Sequence, residues 1–166
     1  RYVNMDSKSM DAMLKHNQGI IMDVDDYEYA TLDSINGDNL VVMLDHLEDP
    51  HNFGAIIRTC EACGVKNIII PKDRGVTVND TVVKTSTGAL SRVNIIMVTN
   101  LVSAINELKR DGYFVYSAEA DGEDFRKVDY NDKKLLVIGS EGNGLSKLVR
   151  NNSDVIISIP MKGEVN

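Results

Sequence analysis

Only two cysteines occur in 166 residues, no run of eighteen apolar residues is present, and the chain starts without an initiator methionine or a signal-like pattern. The scarcity of cysteine excludes a disulfide-built scaffold, and the lack of a long apolar run excludes a membrane-spanning helix. The start at Arg1-Tyr2-Val3 fits a tag, a processed end or a fragment boundary, and is read here as a fragment boundary. Cys60 and Cys63 lie i, i+3 late in one predicted helix, whereas a thioredoxin-like pair would open a helix after a strand. Neither His16, His46 nor His51 supplies a second close ligand pair, so no metal is expected. Nothing in the cysteines points to an oxidising compartment, and the cytoplasm is the default location.

Basic charge is also short. Eighteen Lys and Arg against 25 Asp and Glu give a net −7, which by itself argues against a nucleic-acid partner. The distribution changes that reading: residues 1–51 hold 11 acidic and 3 basic side chains, leaving 15 basic against 14 acidic in 52–166. Between Asn52 and Arg92 six basic residues face three acidic ones, and Lys72, Arg74, Lys84 and Arg92 fall in or beside loops where phosphate could be met.

What is present in quantity is apolar, 43% of the residues, enough for one buried core plus a fragment of something else. From residue 39 onward the pattern alternates strand and helix. Strands are predicted at Leu40–Leu44, Asn67–Pro71, Asn94–Val98, Tyr113–Ala118, Lys134–Gly139 and Val155–Ile159. Helices are predicted at Asn52–Cys63, around Asp80–Thr85, at Leu101–Arg110 and at Leu145–Arg150. This is a parallel-sheet α/β domain. Ahead of it, Gly19–Val24 reads as one strand and Asp25–Asp33 as an acidic connector, together too little for a domain.

Three strand ends carry chemistry. After Leu44 an acidic, proline-containing turn leads into a helix with Asn52, placed at the N-cap, then Gly54 and Arg58. After Ile138 comes Gly139-Ser140-Glu141-Gly142-Asn143-Gly144, whose G-x-x-G-x-G order is neither the dinucleotide fingerprint nor a P-loop. A carboxylate among those glycines, Glu141, can accept hydrogen bonds from a ligand or fix a basic neighbour. After Ile159 come Pro160, Met161 and Gly163. The expectation is that the three loops close around one pocket.

In this order, Asn52-x-Gly54-x-x-x-Arg58, Gly139-Ser140-Glu141-Gly142-Asn143-Gly144-Leu145-Ser146 and Ile159-Pro160-Met161-x-Gly163-x-Val165 resemble the three motifs of the SpoU (TrmH) family of RNA ribose 2′-O-methyltransferases, in the SPOUT superfamily. Lys84–Leu90 (KTSTGAL) is similar too, and the likeness is strongest to bacterial enzymes that methylate a guanosine ribose in 23S rRNA. The resemblance spans about residues 16–166. It implies an α/β trefoil knot, an exception to the rule that chains avoid threading, with S-adenosylmethionine as cofactor, RNA as partner, no membrane and a homodimer in the full-length protein. It also implies that Gly139, Gly142, Ile159 and Met161 hold the cofactor and that Asn52, Arg58 and Glu141 face the ribose.

Residues 1–35 then correspond to the last strand and linker of an amino-terminal RNA-binding domain, and 36–166 to the catalytic domain. In the family the third motif continues into a Ser-Leu-Asn segment, before which this chain stops, so the knot segment is expected to be truncated. Arg58 is an awkward base, since a guanidinium in a protein is hardly ever deprotonated; a grip on the adjacent phosphate suits it better. Three other readings stand beside this one: a tRNA enzyme of the same family, a non-catalytic RNA-binding module of the same fold, and a nucleotide-dependent oxidoreductase, which the glycine order disfavours.

Overall fold

The computed structural model describes residues 3–15, 17, 19–21 and 25–163. The described strands are β1 Leu40–Asp45, β2 Asn67–Pro71, β3 Asn94–Val98, β4 Phe114–Asp124, β5 Lys134–Gly139 and β6 Val155–Ser158. They form one sheet in the order β3-β2-β1-β5-β4-β6, with every pairing parallel. The helices are α1 Ser7–Met13, α2 Pro50–Ala62, α3 Asp80–Thr85, α4 Leu101–Arg110 and α5 Lys147–Asn151.

β1 and β2 read as continuous apolar runs because both of their faces are covered. On one face Val41, Met43, Leu135 and Val137 pack with Ile105 and Leu108 of α4 and Val149 of α5. On the other, Val42, Leu44, Ile68 and Ile70 pack with Phe53, Ile57 and Cys60 of α2 and Val82 of α3. Each such side chain contributes roughly 1.5–3 kcal/mol when fully buried, which makes the central strands a rigid base for the loops at their carboxyl ends. α4 has the predicted form: the Asn100 side chain accepts from the Ser103 N–H, and the buried residues Leu101, Ala104, Ile105 and Leu108 make a single stripe.

Four elements depart from the sequence reading. β4 continues past Ala118, but Ala118 and Glu123 both oppose Ile157, so Glu119–Gly122 bulge outward. A polar Glu-Ala-Asp-Gly stretch has no strand period, and the bulge is set by the partner strand; a Cβ on Gly122 would lie 2.5 Å from the Ile157 carbonyl carbon. Next, α2 starts at Pro50 and not at Asn52, because Asp49 takes the cap and Pro50 supplies a preset φ at the first helical position. Third, β6 joins the sheet outside β4, away from β5.

The fourth concerns the amino-terminal segment. Gly19–Ile21 are not a strand, and the rest of the predicted strand, Met22–Val24, lies outside the described residues. The acidic connector is docked and not free. Tyr27 and Tyr29 pack edge-on at 5.1 Å between ring centroids, Tyr29 Oη accepts from the Val78 N–H at 2.9 Å, and Ala30 bridges to Ile96 of β3. Among the described residues no helix is long and apolar enough to cross a membrane.

Candidate active site

The chain leaves β1 toward β2 on one side of the sheet and leaves β5 toward β6 on the other, although β1 and β5 are neighbours. Diverging connections open a crevice at the carboxyl ends of these two strands, the usual ligand position in an open α/β sheet. Asp45, the last residue of β1, stands opposite Gly139, the last of β5. The first and second motifs therefore begin side by side.

Because the Asp49 carboxylate caps α2, accepting from the His51 and Asn52 N–H groups, the Asn52 side chain is free of the capping role the sequence suggested. Its Nδ2 donates to Glu141 Oε1 at 2.9 Å, across 89 residues of sequence. The glycine turn that carries Glu141 is closed at its neck by reciprocal backbone hydrogen bonds between Ser140 and Gly144, 3.1 and 2.9 Å. Gly139 has no room for a side chain: a Cβ would lie 2.3 Å from the Gly144 carbonyl carbon and 2.6 Å from the Leu145 nitrogen. Gly54 has a comparable constraint, its missing Cβ falling 2.6 Å from Thr85 Cβ, which lets the Lys84–Gly88 segment lie against the first turns of α2. His51 Nδ1 and Thr85 Oγ1 meet there at 3.5 Å.

Two cavities open beside the glycine turn. The larger, about 710 Å³, has apolar walls from Leu40, Tyr116, Leu136, Ile138, Ile157 and Ile159, with Phe125 and Tyr130 at its side. The smaller, about 410 Å³, is lined by Gly139, Ser140, Gly144 and the β4 bulge through Asp121. Ala118, Glu119, Ala120 and Ile138 belong to both. An apolar chamber next to exposed turn backbone suits a ligand with a flat apolar ring at one end and polar groups at the other.

Of the residues expected to hold a cofactor, Gly139 lines the smaller cavity and Ile159 the larger. Gly142 has nothing within 4 Å of its Cβ position, and Met161 is 65% exposed and lines neither cavity. Since β6 lies beyond β4, the loop after Ile159 borders the larger cavity from the far side, and the loops that meet directly are those after β1 and β5. Among the described residues the loops after β1 and β5 make this direct contact, and the β4 bulge lines both cavities beside it.

Arg58 is exposed on α2 and makes no ion pair among the described residues. Six residues from Asn52, it stands roughly 9 Å along the helix and about 120° around it. Lys72 and Arg74 follow β2 at the crevice end of the sheet, and Lys84 is exposed on α3. Arg92 is elsewhere: it precedes β3, at the amino-terminal end of the strands, and pairs with Glu61 at 3.5 Å. The four basic residues are not one patch.

Two residues at the site were missed from sequence. Asp45, 1% exposed, accepts from the Ser146 N–H at 2.6 Å and touches His46 Nδ1 at 2.5 Å. Glu119 Oε1 accepts from the Leu145 N–H at 3.2 Å, and Glu119 also pairs with Arg150, which holds Asp121 at 2.9 Å. An aspartate ending an apolar strand was a legible signal for the first; Glu119, within an unread bulge, gave none. The cysteines stay apart from this chemistry: Cys63 is exposed, and burial pushes the Cys60 thiol up to about 11.

A family model described as the SpoU rRNA Methylase family matches residues 39–166. The chain belongs to the SpoU family. A protein of Staphylococcus haemolyticus named as a TrmH family tRNA/rRNA methyltransferase is 47% identical over 158 residues, 90% of this chain and 64% of that protein. The SpoU methyltransferase AviRb of Streptomyces viridochromogenes, solved in complex with AdoMet, superposes with a TM-score of 0.76 at 28% identity, over 84% of this chain and 58% of that one. The TrmH/SpoU tRNA modifying enzyme of A. aeolicus gives 0.69 at 31% identity, over 77% and 66%. The SpoU chain described here thus spans less than two thirds of the Staphylococcus relative, and its parallel six-stranded sheet is that of the SPOUT methyltransferases.

Proposed function

We propose that the full-length protein of which this chain forms part transfers a methyl group from S-adenosylmethionine to a ribose 2′-hydroxyl of RNA, with a guanosine of 23S rRNA as substrate. The observation that carries this reading is the Asn52–Glu141 hydrogen bond, which joins the first and second motifs at the β1/β5 crevice. Membership of the SpoU family and the AdoMet complex of AviRb support the choice of cofactor. The residues present fit such a cofactor: the apolar walls of the larger cavity would hold its ring system, and the turn backbone at Gly139, Ser140 and Gly144 would meet its polar groups. When bound, the cofactor supplies the methyl group and a good leaving group.

The chain's own residues have the remaining work. Asn52 and Glu141, fixed on each other, present an amide and a carboxylate to the ribose, holding its hydroxyl in one orientation. Orientation of this kind is worth up to roughly 7–11 kcal/mol in favourable cases. Arg58 grips the neighbouring phosphate and lowers the energy of the developing alkoxide, the proton leaving through that phosphate or water. Lys72, Arg74 and Lys84 extend the phosphate contacts along the crevice end of the sheet, while Arg92 is left to the Glu61 pair.

Residues 1–35 serve as the end of an amino-terminal RNA-binding domain and 36–166 as the catalytic domain. The working form is a cytoplasmic homodimer with the trefoil knot of the family. A second reading, tRNA as substrate, is favoured by the likeness to the A. aeolicus tRNA modifying enzyme. The test is transfer of tritiated methyl from S-adenosylmethionine to purified 23S rRNA and tRNA by the full-length protein. Label in 23S rRNA that survives in alkali-resistant dinucleotides supports the reading; label only in tRNA favours the second.

A further inference from the structure

We propose that Asp45 is a positioning residue that sets the glycine turn of the second motif from the end of β1. The inference deepens the functional reading above, on which it rests for the identity of the ligand. The turn is held at three points. Its neck is the Ser140–Gly144 pair, its tip is Glu141 on Asn52, and its far end is the Ser146 N–H, which donates to Asp45 Oδ2 at 2.6 Å. Ser146 is the residue before α5, and the Asp45 carboxylate meets its backbone N–H, one of the donors left open at a helix start, from 101 residues away.

Several features mark the contact as built and not incidental. Asp45 is 1% exposed, in a strand whose other buried members are all apolar, and burying a carboxylate is costly unless its oxygens are met. Both are met, the second by His46 Nδ1 at 2.5 Å. His46 sits there in a left-handed backbone, φ +57°, a conformation that non-glycine residues seldom adopt. Gly139 stands opposite Asp45 in the sheet and cannot take a Cβ because the turn folds back over it. The strand end, the turn and the start of α5 are therefore one rigid unit, and the backbone groups of the smaller cavity keep their places only while Asp45 holds the turn's exit.

The experiment uses the full-length protein with Asp45→Ala and Asp45→Asn. The asparagine keeps an oxygen for the Ser146 N–H and can donate its amide to His46 Nδ1; the alanine keeps neither. Amide hydrogen exchange of the ligand-free protein is read first, then S-adenosylmethionine affinity by calorimetry and the KM and kcat of transfer. The expected result is that alanine speeds exchange at Leu145 and Ser146 at least tenfold with β2 and β3 unchanged, weakens the cofactor at least tenfold, and is rescued by asparagine to within threefold on both measures. Unchanged exchange at Ser146 in the alanine variant overturns the proposal, whether or not the protein binds S-adenosylmethionine. Wild-type exchange behaviour as expected with no cofactor binding at all would instead overturn the functional reading. If asparagine loses the reaction as completely as alanine, with cofactor affinity intact, Asp45 and His46 form a proton-accepting pair and the positioning role is wrong.

Discussion

Gly139→Ala sets the geometry of the crevice against a number. The added methyl would sit 2.3 Å from the Gly144 carbonyl carbon, 2.4 Å from its oxygen and 2.6 Å from the Leu145 nitrogen, all backbone atoms. Comfortable carbon contacts lie near 3.5–4.0 Å, so the turn must retreat by more than an ångström. That movement strains or breaks the Leu145 N–H to Glu119 and Ser146 N–H to Asp45 hydrogen bonds, each worth about 1 kcal/mol, on top of an overpacking cost of about 1–3 kcal/mol. The total is about 3–5 kcal/mol. Gly142→Ala is the matched control, because nothing lies within 4 Å of its Cβ position and its φ is not in the left-handed region. Urea unfolding of the two variants, followed by circular dichroism, should give a large fall in midpoint for the first and a shift within about 0.5 kcal/mol for the second. Equal midpoints would refute the packing argument, since the two glycines would then be interchangeable.

Gly54→Ala should destabilise by about 1–3 kcal/mol through its contact with Thr85 Cβ, read as a drop in Tm, and Thr85→Ser, which removes the nearby methyl, should recover part of it. Arg58→Lys in the full-length protein should lower the methyl-transfer rate at least tenfold while leaving cofactor affinity within threefold, because a point charge lacks the planar fork; a near-normal rate would remove the bidentate phosphate grip. Thiol titration at pH 8 should find Cys63 reactive and Cys60 silent until the chain unfolds, as burial holds the Cys60 thiol near 11. The Arg126 side chain hydrogen-bonds Asp124 and lowers its carboxyl to about 2. A lowered folded-state value means that the pair's contribution is present above about pH 4 and fades as pH falls toward 2, which carboxyl NMR of Asp124 should show as a midpoint near 2.

Much of the fold was legible because the sheet is parallel and covered on both sides. Leu40–Leu44 and Asn67–Pro71 are continuous apolar runs for that reason, and Leu101–Arg110 shows its single stripe with Asn100 as cap. What the sequence did not show was decided by partners distant along the chain. The bulge at Glu119–Gly122 exists only against Ile157, and the placement of β6 outside β4 has no local signal. The start of α2 was misplaced because Asn52 and Asp49 are both good caps; Pro50 between them settles the matter, leaving the Asn52 side chain for Glu141. At the site, the motif residues Asn52, Gly139 and Glu141 could be named from sequence; of their supports, Asp45 left a trace as an aspartate ending an apolar strand, but its partner did not show, and Glu119 left none. Asp45 and Glu119 act by accepting backbone N–H groups of the turn, a role that any carboxylate could have and that only three-dimensional proximity assigns.

The central claim is that the loops after β1 and β5 form one methyl-transfer site. A double-mutant cycle on Asn52→Ala and Glu141→Ala, measured as the single-turnover rate of methyl transfer to RNA by the full-length protein, tests it most directly. Because the two side chains are hydrogen-bonded at 2.9 Å, they should act as a unit: each single variant slows transfer at least tenfold, and the double variant is little slower than either, a coupling of about 1 kcal/mol or more. Two losses that multiply, with no coupling, would contradict a shared site.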